Sequence, residues 1–129
     1  MEFEIAGRTY PAEYTVLTEE LLEKHYGGVE KMDEVLQASS VHGRSKEISE
    51  LVAALIGGGV QREKEMCKIL GNEYSGPEAI DAETICVLMK PGQLYKLMPK
   101  IRDIMSEAYS TTTELEPEKG KNVKAAPSE

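Results

Sequence analysis

The chain has no tryptophan, one phenylalanine, two cysteines and two histidines. With so few large rings, aliphatic side chains and six methionines must fill most of any core. Two cysteines cannot build a disulfide framework, and without a CxxC pair they do not describe a zinc site. No apolar run approaches the roughly 18 residues of a membrane span. The opening Met-Glu-Phe-Glu-Ile lacks the basic region and apolar core of an export signal. The expected location is therefore the cytoplasm, with reduced thiols. Basic charge is also in deficit: 15 Lys and Arg stand against 23 Asp and Glu, a net charge of -8. Nucleic-acid binding draws its affinity from cationic side chains on phosphates, so this balance argues against it.

What remains is 129 residues with 40% hydrophobic side chains, enough for one small domain. The expected fold is mainly α: a small helical domain with an N-terminal β-hairpin and a disordered C-terminal tail. Residues 1–14 carry the hairpin. Phe3 and Ile5 alternate with Glu2 and Glu4, Gly7-Arg8 supplies a two-residue turn, and Thr9 and Tyr10 continue into the second strand. Pro11 lacks an amide donor, which confines that strand to an edge. A lone hairpin is marginal in water, so it must lie on the helices or pair with a strand of a second copy.

Residues 15–109 read as the helical body. Thr18 is placed to cap a first helix with Leu21 and Leu22 on one inward face and Gly27-Gly28 as the stop. Val29, Met32, Val35 and Leu36 form a second short stripe, and a loop follows through Ser39-Ser40 and His42-Gly43. Ser45 is expected to cap the clearest helix, with Ile48, Leu51, Val52, Leu55 and Ile56 on one face. Gly57-Gly58-Gly59 predicts a break or hinge, because each glycine costs a helix interior roughly 1 kcal/mol. A separate helix is then expected from Val60 to Leu70, ended by Gly71. Asp81 caps a short helix through Met89, and Lys90-Pro91-Gly92 resets the chain. Leu94, Leu97, Met98, Ile101, Ile104, Met105 and Ala108 make a last broad stripe, with Pro99 marking a kink or the first turn of a new helix. From 110 to 129 the chain holds one Leu, one Val and no aromatic residue, too little apolar area to offset the entropy of ordering.

No catalytic constellation emerges. His25 ends a helix, where the dipole favours it, and His42 falls in a Ser-rich loop. Cys67 and Cys86 each sit in an apolar stretch and are expected in the core. Gly57–Gly59 lacks the preceding strand and the GK[ST] of a phosphate cradle, and no DxDxDG calcium loop is present. The chain is therefore expected to be no enzyme and to hold no metal or cofactor. The chemistry on offer is adaptable apolar surface. The last helix is rich in methionine, which moulds to irregular partners. The stripe itself is expected to be the last wall of the core, and Leu94, Tyr95, Met98, Ile101, Met105 and Tyr109 are the candidate partner-binding residues, with Tyr95 and Tyr109 off its centre.

Three segments in order resemble one family. FEIAGRTYPAEYT opens with a hairpin ending in Tyr-Pro. LTEELLEKHYGGVEKMDEVL gives two short acidic helices joined at glycines. IDAETICVLMKPGQLYKLMPKIRDIMSEAY gives an Asp-started helix, a Pro-Gly-x-Leu reset and a final helix ending in Glu-Ala-Tyr. Together they span most of 1–109 and resemble the small tail assembly chaperones of long-tailed phages and prophages of Gram-positive bacteria. The glycine triplet, Pro99 and the long polar tail depart from that pattern. The resemblance implies a non-enzymatic role in the bacterial host cytoplasm. Such proteins bind the long helical tape measure protein, keep it soluble and help the tail tube protein polymerise around it. They are not expected in the finished virion, and in many phages a frameshifted longer product accompanies them. The alternative from composition alone is a small acidic helical adaptor or regulatory protein that binds a folded partner. Association between copies through the hairpin edge is compatible with either.

Overall fold

The computed structural model describes residues 1–28, 30, 31, 34 and 44–110. The stripe of Val29, Met32, Val35 and Leu36, the loop around His42, and the tail from residue 111 lie outside them. The described chain is mainly helical with an N-terminal two-stranded antiparallel hairpin. Strands β1 (Glu2–Ile5) and β2 (Arg8–Pro11) are followed by helices α1 (Val16–Tyr26), α2 (Ser45–Leu70), α3 (Ala82–Leu88), α4 (Pro91–Tyr95) and α5 (Met98–Glu107).

The hairpin turn is Ala6-Gly7, one residue earlier than the Gly7-Arg8 pair read from the sequence, because Ile5 pairs with Arg8. Both turn residues have positive φ, 54° at Ala6 and 78° at Gly7. That is the twist a two-residue connection between right-twisted strands needs, and it leaves alanine in a left-handed conformation it disfavours. Past the strands, the Ala12 amide donates to the Met1 carbonyl at 2.8 Å. Bonded pairs therefore recur two residues apart, and Pro11, opposite Glu2, takes an intervening position where no amide is required. Alternation then aims Phe3, Ile5 and Tyr10 into the core while Glu2, Glu4 and Thr9 face water.

Helix α2 is the spine. Its Ile48, Leu51, Val52, Leu55 and Ile56 are all fully buried, against the hairpin on one side and Ile85, Leu94, Met98, Ile101, Ile104 and Met105 of α3, α4 and α5. The expected break at Gly57–Gly59 does not occur: α2 runs unbroken for 26 residues. Local propensity loses to a tertiary contact. A Cβ on Gly58 would meet the Thr18 hydroxyl and stand 2.6 Å from the Glu13 carbonyl oxygen, and one on Gly59 would stand 2.5 Å from the Ala12 nitrogen. The glycines let the segment joining β2 to α1 lie on the helix backbone itself. There the Glu13 amide donates to the Leu55 carbonyl at 3.0 Å.

Three of the predicted stops and starts are observed. Gly27 and Gly71 end α1 and α2 in the left-handed conformation, and Asp81 caps α3 by accepting from the Thr84 amide at 2.8 Å. Two caps differ. Thr15, not Thr18, caps α1, accepting from the Thr18 amide at 3.2 Å, and Thr18 is buried inside the first turn. Arg44 precedes α2 without a side-chain cap, and the Ser45 hydroxyl is hydrogen-bonded instead to Tyr95 at 3.0 Å. Pro91 and Pro99 occupy first turns of α4 and α5, where a missing amide costs no helical bond, so Pro99 starts a helix rather than kinking one.

Candidate partner-binding surface

The last stripe of the sequence folds into the wall of the core. Leu94, Met98, Ile101 and Met105 are buried, as the reading of this stripe as the last wall of the core expects, so these four candidate partner contacts are corrected to packing residues. A side chain already enclosed against α2 within the core has no surface left to offer. Tyr95 is half-buried and held by Ser45. Tyr109 alone of the six is exposed, and it is engaged within the chain. Its hydroxyl donates to the Glu19 carboxylate, and its ring meets that of Tyr14 edge-on at 5.9 Å. The pair ties the end of α5 to α1. Desolvation and the Glu19 carboxylate, in that order, hold the Tyr109 hydroxyl well above the ordinary phenol range.

The apolar surface that does face water lies elsewhere. On α1, Leu22 and Thr18 point inward, while Leu17 and Leu21, one helical turn apart, point out. Leu21 was expected to share the inward face of Leu22. At adjacent positions 100° apart on a helix, only one of the two can be central to that face. Leu17 and Leu21 floor an open cleft of about 690 Å³ whose other walls are Glu20, Glu23, Lys24, Gly27 and Gly28. Val87 on α3, and Met66, Ile69 and Leu70 at the end of α2, are also exposed. The i, i+4 spacing of Leu17 and Leu21 is the sequence signal for this face. The inward reading of Leu21-Leu22 obscured it.

The polar groups around these faces act by charge and hydrogen bonding. At the end of α1, His25 Nε2 lies 3.0 Å from Glu50 Oε1, joining α1 to α2. Its neighbour Tyr26 donates to the Glu47 carbonyl at 3.4 Å. Burial, then the Glu50 and Glu47 carboxylates, push its hydroxyl up to about 12. Neither cysteine is in the core. Cys67 is half-buried, and Cys86 is exposed with its thiol donating to the fully buried Ser49 hydroxyl at 3.1 Å. Cys67 lies on the end of α2 beyond its buried stripe and Cys86 on α3 beside the buried Ile85, differences that an apolar stretch in the sequence does not reveal. A second open cleft, about 490 Å³, runs between the hairpin and the loop after α2, with Glu2, Glu13, Glu63 and Glu73 among its lining.

Among the described residues, no three His, Cys, Asp or Glu side chains converge in a way that would hold a metal ion. No helix of the described chain is long and apolar enough to cross a membrane. Two exposed leucines at i, i+4 among charged side chains have the spacing that a helix-docking face uses. Comparison with known protein families, curated proteins and solved structures finds no match to this chain.

Proposed function

We propose that the chain is a tail assembly chaperone of the long-tailed phage type, a non-enzymatic protein of the bacterial host cytoplasm. It binds the tape measure protein and hands it to the polymerising tail tube protein. The observation that carries this reading is the α1 cleft, in which Leu17 and Leu21 stay exposed one turn apart among Glu20, Glu23 and Lys24. A long helical partner repeats apolar residues at i, i+3 and i+4, and such a helix laid in the cleft covers both leucines. Glu20 and Glu23 on the rim favour basic residues beside the partner's stripe. The net charge of -8 keeps a complex of many copies on one extended partner dispersed. The order of hairpin, acidic helix and Pro-started final helix supports the same reading.

Co-expression with the tape measure protein encoded in the same gene cluster tests it. The tape measure protein is expected to become soluble and to co-purify with this chain, and Leu17→Asp with Leu21→Asp is expected to abolish both effects while preserving the helical circular dichroism. A tape measure protein that is equally soluble alone and never co-purifies would overturn the reading in favour of an adaptor for a folded protein.

A further inference from the structure

Ile48, Leu51 and Val52 recur as Met66, Ile69 and Leu70, each 18 residues later on α2. Eighteen residues are five turns at 3.6 residues per turn, so the second set lies on the same face of the helix as the first. The first set is fully buried by the hairpin and by α3, α4 and α5, whereas Met66, Ile69 and Leu70 are 43%, 77% and 65% exposed. The core-facing stripe thus continues past the domain. From Gln61 to Leu70 no side chain is buried, and the returning loop meets the helix along another flank, where Lys64 bonds Glu78 at 2.7 Å and lies over the Tyr74 ring.

We propose that this overhang is a self-association face, on which two copies pair the ends of their α2 helices antiparallel about a two-fold axis. The chain's own undescribed segments do not fit the face. The stretch between Gly28 and Arg44 is anchored at both ends near the start of α2, since Tyr26 bonds Glu47. Running out and back, it reaches at most about 29 Å. Met66 to Leu70 lie about 33–39 Å along the helix from Arg44. Residues 111–129 hold a single Leu and a single Val, Leu115 and Val123, eight positions apart. Two scattered side chains do not cover a three-residue stripe.

Charge favours a like copy. Residues 61–70 carry Arg62, Lys64 and Lys68 against Glu63 and Glu65, a net of +1 on a chain of -8. Here two acidic bodies can approach through surface that is nearly neutral and alternates in sign. An antiparallel pair sets Met66 level with Ile69 of the second copy, with Leu70 closing beside them, so that each stripe covers its equal. Three large side chains per copy give far less than the roughly 800 Å² per partner of a standard interface, so the pair is concentration-dependent.

Sedimentation velocity of the 129-residue chain, with no other protein present, tests this between about 1 and 500 µM. The wild-type mass is expected to rise from monomer toward dimer. Ile69→Asp is expected to remain monomeric throughout, and Val87→Asp, on an exposed apolar residue outside the stripe, to behave as wild type. Circular dichroism confirms that each variant is folded. A wild-type chain that stays monomeric up to the highest concentration overturns the proposal and leaves the stripe to a foreign partner. A dimer that survives Ile69→Asp also overturns it and returns attention to the hairpin edge. So does a dimer that forms only once 111–129 is deleted, which would make the tail the occupant. None of these outcomes bears on tape measure binding, which is read with a different partner and at Leu17 and Leu21.

Discussion

Gly59 lies directly against the backbone amide of Ala12, so close that a Cβ at position 59 would stand 2.5 Å from the Ala12 nitrogen and from the Pro11 carbonyl. The contact sets the hairpin's distance from the spine helix, because the same segment is bonded to α2 through the Glu13 amide and Leu55 carbonyl. Two neighbouring glycines therefore respond oppositely to one added methyl group. Gly59→Ala gains about 1 kcal/mol of helix propensity but forces backbone against backbone, so a net destabilisation of about 1–3 kcal/mol is expected. Gly57, with nothing within 4 Å of its Cβ position, should gain about 1 kcal/mol on substitution by alanine. Urea unfolding of the two variants checks the pair; changes of the same sign would mean the approach at Gly59 is not what keeps that glycine.

The hairpin turn holds a second opportunity for stabilisation. Ala6 sits at φ 54° beside Gly7, and an L-residue other than Gly, Asn or Asp adopts that region at a cost. Ala6→Asn makes the turn Asn-Gly, the pair that two-residue hairpins prefer, and is expected to stabilise the protein by about 0.5–1 kcal/mol. The denaturation midpoint should rise with an unchanged slope. A fall in midpoint would place the strain elsewhere than at Ala6.

Signals carried by single residues and their near neighbours were legible in the sequence. The alternation of Phe3 and Ile5, the Asp81 cap and the glycine stops at 27 and 71 each depend on one turn or one strand of chain. The misread features all depend on what packs against the residue. The glycine triplet looks like a break until Ala12 is laid on it. Thr18 looks like a cap until Thr15 takes that place and the core buries Thr18. Leu94, Met98, Ile101 and Met105 form a stripe that periodicity finds at once, but periodicity is the same for a stripe facing a core and one facing a partner. The stripe at Met66, Ile69 and Leu70 shows the converse: its phase is that of the core, and only the extent of the hairpin and of α3, α4 and α5 leaves it outside.

Alkaline pH should weaken the junction of α1 and α2. An unfolded tyrosine ionises near 10, whereas Tyr26 is raised to about 12 by burial and then by Glu50 and Glu47. Between those values the unfolded chain has released its proton and the folded chain retains it, so stability falls as pH rises. Tyr26→Phe has no proton to lose. From about pH 9.5 to 11.5, wild type is expected to lose more stability than Tyr26→Phe, measured by urea unfolding at each pH. Parallel curves for the two proteins would show that Tyr26 is not the group responsible.

Substitutions at the core stripe and at the exposed leucines should separate folding from binding. Ile101 is fully buried among α2 and its neighbours on α5, so Ile101→Ala deletes packed methylenes and leaves a cavity, at an expected cost of about 2–5 kcal/mol. In a domain this small that is a large part of the total stability, and partner binding would fall only because the folded fraction falls. Leu17 is held by no such enclosure. Leu17→Ala should change stability by no more than about 0.5 kcal/mol, yet weaken the proposed tape measure binding, because it removes one of the two leucines of the α1 cleft. Thermal unfolding and pull-down of both variants at a temperature where each is fully folded distinguish the two effects. Under those conditions Ile101→Ala should bind as wild type does and Leu17→Ala should not. The reverse result would return the contact to α5 and require that helix to leave the core when the partner binds.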